Sequence, residues 1–135
     1  MAVNKTSLSA GLIIRAILTE DTEVSKRTKK IYPVVQLTEP ATLPYIAYRR
    51  MALEAIPAKR RDPEADTADT VAMEVICYTA DYDSGVELAE AVRNALTFTE
   101  AEHKGLVMRG CQLADSQEDW ENDAFVQQLI FNLKM

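Results

Sequence analysis

The chain is 135 residues long, 47% apolar and 27% charged, enough to bury one core without metal or disulfide staples, and fits a single domain over residues 1–135. Its formal net charge is −6, with a pI near 4.8. That balance excludes the broad basic footprint with which nucleic-acid binders displace counterions, so no sequence-specific nucleic acid is expected as a partner.

The opening residues, Met-Ala-Val-Asn-Lys-Thr-Ser, carry one positive charge and no long apolar run, and do not read as a secretory signal. Ser7 is placed to cap a helix whose apolar positions Leu8, Leu12, Ile13, Ala16 and Ile17 recur at helical spacing, widened by Ile14 and Leu18. Apolar stretches such as Gly11 to Ile14 fall far short of the roughly 20 residues that span a membrane, so no membrane partner is expected. The helix should fade over Thr19 to Thr22, where Glu20 and Asp21 sit badly near a negative helix end. Val24 to Lys30 reads as loop or a short further turn.

Ile31 and Tyr32 run into Pro33, which donates no ladder hydrogen bond, so this strand is short or lies at a sheet edge. Pro40 and Pro44 frame a loop, and Tyr45 to Met51 alternates as a strand. The charged segment from Met51 to Asp66 is long for a compact domain, whose connections usually run to about four to six residues. Thr67 to Tyr78 carries the strongest strand pattern: Val71, Met73, Val75 and Cys77 alternate with Ala72, Glu74, Ile76 and Tyr78. One face of it is apolar and the other mixed, as in a sheet covered by helices on one side.

Asp81 or Asp83 caps a second helix with the stripe Val86, Ala89, Val92, Ala95 and Leu96. Leu106 to Leu113 reads as a strand interrupted by Gly110, a bulge or close packing point. Asp115 to Asp123 reads as an acidic turn holding the only tryptophan, Trp120. A last strand alternates Phe125, Leu129, Phe131 and Leu133 with Val126, Gln128, Ile130 and Asn132. The order predicts an α+β fold, an antiparallel sheet of four to five strands with two helices packed on one face and a long hairpin loop.

Catalytic patterns do not emerge. His103 has no partner at ligand spacing beyond Glu100 and Glu102, no serine sits in a Gly-x-Ser-x-Gly elbow, and the four glycines are scattered. Cys77 and Cys111 lie in apolar runs without zinc-ligand spacing and are expected to be buried and reduced, as in an intracellular folding environment. The acids at 118–123 lack the glycine and terminal glutamate of a calcium loop. Tyr45, Tyr48, Arg49 and Arg50 interleave aromatic and basic residues, but alternate tyrosines in a strand read first as packing. No enzyme, metal or cofactor is expected.

Several words of this sequence carry a resemblance. They are the helix Ser-Leu-Ser-Ala-Gly-Leu-Ile-Ile-Arg-Ala-Ile-Leu, then Ile31-Tyr32-Pro33 and Leu43-Pro44-Tyr45-Ile46-Ala47-Tyr48, then Val75-Ile76-Cys77-Tyr78, the Asp81-Tyr82 turn and the helix from Gly85 to Leu96. With the two closing strands, this layout resembles the tail completion, or tail terminator (tail-to-head joining), family of tailed bacteriophages over nearly the whole chain. The resemblance implies a structural virion assembly protein of a phage or prophage, a hexameric ring in that family's manner and monomeric before assembly. Its implied partners are itself, the tail tube protein and the head–tail connector. Its implied setting is the host bacterial cytoplasm during assembly, then the head-proximal end of the virion tail. The loop from Met51 to Asp66 would reach neighbours or the tube.

A closed ring needs two different patches meeting on adjacent copies. The residues offer a basic set, Arg49, Arg50, Ile56, Lys59, Arg60 and Arg61, and an acidic set, Glu118, Asp119, Glu121 and Asp123. Complementary charge would set register and encounter rate more than affinity. A small α+β protein-binding module unrelated to phage assembly stays open beside this reading, because layout alone does not determine function.

Overall fold

A computed structural model describes residues 5–34, 42–55 and 69–135. Thr6 accepts a hydrogen bond from the Leu8 N–H and opens a 3-10 turn over Ser7–Ser9, which runs into α1 (Ala10–Glu20). Helix α1 buries Ala10, Ile13, Ile14 and Leu18, one face of a helix. The expected stripe began at Leu8 and Leu12, yet these are 64% and 41% exposed. The tight opening turn carries Leu8 out of helical phase. Gly11 then lets the helix seat closely on the sheet, since a Cβ there would lie 3.3 Å from the Tyr48 ring.

Asp21, expected to be badly placed, instead joins two helices. Its N–H closes α1 on the Ile17 carbonyl, and its carboxylate caps α2 (Thr22–Arg27) by accepting from the Glu23 and Val24 N–H groups, both at 3.0 Å. A carboxylate that is unfavourable at one helix end is favourable at the start of the next.

The main sheet has five strands in the order β1-β2-β3-β7-β6. They are β1 (Ile31–Pro33), β2 (Tyr45–Glu54), β3 (Thr70–Thr79), β6 (Gly110–Glu121) and β7 (Ala124–Lys134). A separate hairpin pairs β4 (Ala101–His103) with β5 (Leu106–Met108). Three of the main-sheet pairings are antiparallel, but β1 lies parallel to β2, so the sheet is mixed and not the antiparallel one expected. A parallel pair needs a return connection between its strands, which a tight hairpin cannot supply. As Pro33 suggested, β1 is short and at an edge.

The face of β3 formed by Val71, Met73, Val75 and Cys77 is fully buried. It meets Ile46 and Tyr48 of β2 and Leu129, Phe131 and Leu133 of β7, and residues of α1 and α3 (Tyr82–Leu96) complete the cluster. Asp81 caps α3, accepting from the Ser84 N–H at 3.0 Å and the Ser84 hydroxyl at 2.8 Å, which holds its carboxyl below the usual carboxylate range. The buried positions of α3 are Gly85, Leu88, Ala91, Val92 and Leu96, so Val86, Ala89 and Ala95 flank the stripe instead of centring it.

Gly85 gives a sharp test of that packing. Glycine to alanine inside a helix ordinarily adds up to about 1 kcal/mol of stability. Here the new Cβ would sit 2.8 Å from the Thr79 hydroxyl, which donates to the Asp81 carbonyl at 2.8 Å. Gly85→Ala is therefore expected to lower the midpoint of a circular-dichroism melt. A raised midpoint would mean the Thr79 contact yields freely.

Candidate assembly interface

Strands β6 and β7 are joined by Asn122 and Asp123, both at positive φ (51° and 61°), the backbone of a two-residue hairpin turn. The expected acidic turn over 115–123 is thus corrected to strand, with the turn confined to 122 and 123. Asp, Glu, Ser and Gln are weak strand formers, but β7 supplies a paired template that overrides local preference. The strand expected over Leu106 to Leu113 is likewise divided into β5 and β6. The irregular step in β6 falls between Leu113 and Asp115, not at Gly110.

Register places Ser116, Glu118 and Trp120 on the helix side of the sheet, and Asp115, Gln117, Asp119 and Glu121 on the open side. Trp120 is 52% exposed and stands edge-on to Phe125 at 4.7 Å, which in turn meets Tyr82 at 6.0 Å. Glu118 accepts from the Tyr82 hydroxyl at 3.0 Å and from Gln127 Nε2 at 2.9 Å, so it is anchored to its own domain. That bond raises the Tyr82 phenol above its usual value. Asp119, Glu121 and Asp123 stay exposed. Asp81 and Asp83, at the start of α3, add to the same end of the molecule through the Tyr82–Phe125 contact.

Two members of the basic set, Arg49 and Arg50, lie among the described residues, on opposite faces of β2. Arg49 Nε donates to Glu74 Oε1 at 2.7 Å, and Arg50 Nη1 donates to the Leu8 carbonyl at 2.9 Å. Ile56, Lys59, Arg60 and Arg61 lie outside the described residues. The expected loop also begins later than read, because β2 continues through Met51 to Glu54. The strands that carry this connection end at Glu54 and Thr70, on the same row of the sheet as Lys134 and Gly110. Asp119 shares a row with Val126 and Tyr78, eight residues along β3 from Thr70. At about 3.3 Å per residue, the base of the loop and the acidic hairpin stand at opposite ends of the sheet, ~26 Å apart.

An aromatic row went unread in the sequence. Tyr45 stacks on Tyr78 at 4.5 Å with Tyr32 6.0 Å further along, all on the open side. Burial and the neighbouring Tyr45 and Glu121 push the Tyr78 phenol up to about 12. The signal was present in the alternation of Tyr45 with Ala47 and of Tyr78 with Ile76, but only strand pairing lines the rings up. A groove beside the row is lined by Val34, Ala47, Tyr48, Arg49, Glu74 and Ile76, and its charges are already paired with each other. Cys77 and Cys111 are buried free thiols, each pushed up to about 12 by burial. His103 sits in β4 opposite Leu106. Among the described residues no three His, Cys, Asp or Glu side chains are placed to hold a metal ion, and no helix is long and apolar enough to cross a membrane.

The architecture is one already seen in a virus-like particle. The chain superposes on a component of the virion of a native gene transfer agent particle with a TM-score of 0.71, covering 96% of this chain and 98% of that one at 15% identity. A second solved chain aligns with a TM-score of 0.54, covering 90% of this chain and 94% of the other at 16% identity. No family model and no curated protein matches the sequence. What is shared is the fold, end to end.

Proposed function

We propose that this protein is a structural, non-enzymatic component of a tailed phage or phage-derived particle, terminating the tail tube and joining tail to head as a ring. The observation that carries the reading is the end-to-end superposition on a virion chain, with nearly all of both chains matched. The ring closes through two different patches on adjacent copies, as cyclic assembly demands. Six copies is the proposed number, the chain being monomeric when dilute and closing into the ring as its concentration rises. Its partners are itself, the tail tube protein and the head–tail connector, and it occupies the head-proximal end of the tail after assembly in the bacterial cytoplasm.

The strands that border the 55–69 connection, β2 and β3, meet it at one end of the sheet, and the acidic hairpin occupies the other. That polarity suits a ring with two unlike docking faces along the tail axis, and Lys59, Arg60 and Arg61 then act toward the tube. Deleting the protein is expected to yield tails of uncontrolled length without joined heads in negative-stain images. Normal full particles would remove the proposal. Reversing charge with Arg60→Glu and Arg61→Glu is expected to weaken capture of tube about tenfold in co-sedimentation. Capture at the wild-type level would remove the arm from the interface.

A further inference from the structure

We infer that the acidic β6 edge is a self-docking surface whose occupant is the Lys29–Lys30 corner of a second copy of this chain. The inference rests on the ring reading and names its two faces. The two ends of the strand order are β1 and β6, and among the described residues no further strand pairs with either on its outer side. The segment leading into β1 and the β6 edge carry opposite charge. Residues 26–30 read Lys-Arg-Thr-Lys-Lys, whereas 110–133, which spans all of β6 and most of β7, holds no Lys or Arg. Lys26 and Arg27 are engaged by Glu23 on α2, at 3.2 and 3.1 Å. Lys29 and Lys30 remain as the charge leading into β1, with Lys30 Nζ resting on the Thr42 carbonyl at 3.0 Å.

The two edges also match in level. Ile31 lies on the row of Ile46, Cys77, Gln127 and Glu118. The residue before it, Lys30, whose carbonyl accepts from the Ile46 N–H, therefore falls at the row of Asp119, and Lys29 at that of Trp120. Copies related by rotation about an axis along the strands keep their rows level. The next copy's lysines then arrive at Asp119 and Glu121, with the π face of the exposed Trp120 ring available to a lysine cation. The contact joins unlike patches, so it propagates head to tail and closes as a ring.

The edge is read through its carboxylates and not by adding a strand. Asp115 Oδ1 accepts from the Ser116 N–H at 2.8 Å and Asp119 Oδ1 from the Trp120 N–H at 2.7 Å, so these backbone donors are already occupied. Charged side chains of this kind protect a free edge from uncontrolled pairing.

The test uses the full chain with Asp119→Lys/Glu121→Lys, with Lys29→Glu/Lys30→Glu, and with an equimolar mixture of the two variants, followed by sedimentation equilibrium at low salt. Each variant alone is expected to self-associate about tenfold more weakly than wild type, and the mixture to recover, because every acidic edge again meets a basic one. Fluorescence of the single tryptophan should shift to the blue on association in wild type and in the mixture. Circular dichroism of each variant checks that the fold is kept. A wild-type chain that stays monomeric at all concentrations overturns the inference, as do single variants that associate normally or a mixture that fails to recover. If those variants fail to disturb association while the protein still caps tails, the pairing of edges falls and the tail reading stands. Loss of tail capping by wild type sinks the tail reading alone.

Discussion

Phe131→Ala is expected to lower stability by about 3 to 5 kcal/mol, read as a shift in the urea midpoint at unchanged slope. Phe131 is fully buried in β7, opposite Met73 on β3 and Leu113 on β6, so it ties the three longest paired strands to the helices above them. A small domain holds about 5 to 15 kcal/mol in total, so the loss is a large fraction of it. The ring at Phe98 is the control: it is 77% exposed, and Phe98→Ala should stay within about 0.5 kcal/mol. Equal effects at the two positions would mean that the core does not sit where β7 crosses β3.

Arg49→Ala is the second large effect, expected to cost about 2 kcal/mol. Glu74 is only 2% exposed, on the side of the sheet away from the helices, and its carboxylate is held by Arg49 and by Gln128 Nε2. Removing the arginine leaves a buried charge with one neutral donor, and hydrogen bonds to charged groups are worth roughly 1.5 to 3 kcal/mol. The Arg49 side chain is itself 54% exposed, which keeps the figure below that of a fully buried pair. Replacing both residues together, Arg49→Leu with Glu74→Leu, should recover most of the loss, because no charge is then stranded. A double variant worse than Arg49→Ala would show that Glu74 serves the sheet in some way other than through this pair. In the proposed ring, an arginine committed to Glu74 would contribute less to a neighbouring copy.

The aromatic and charged features of the open side show why local pattern has limits. Alternation in residues 71–78 identified β3 and its buried face, since one strand's period of two suffices for that. The same rule failed at 115–121, where no apolar residue alternates and only pairing with β7 makes the segment a strand. In α1, helical spacing found the right residues but not the right face. Leu8, Leu12, Ile13 and Ile17 fit the period as well as Ile13, Ile14 and Leu18 do, and the close approach of Gly11 to Tyr48 chose between them. Asp21 was misread for a related reason: a carboxylate near a helix end looks unfavourable until the next helix begins at that residue.

For the surfaces, composition pointed to an acidic segment and a basic loop as two poles, and the acidic segment is a coherent exposed edge with Trp120 at its tip. The structure sets that edge at the far end of the sheet from the loop's base and level with Lys29 and Lys30, a relation spread over four strand pairings. By itself the amino-acid order determined the mixture of helix and strand, the buried face of β3, an aspartate cap at Asp81 or Asp83 and the short edge strand at Pro33, because each depends on residues within a few positions. Only the tertiary structure decided the parallel seat of β1, the length of β6, the phase of α1 and which charges share a row. Those depend on the free energy of pairing segments tens of residues apart, which no local period records.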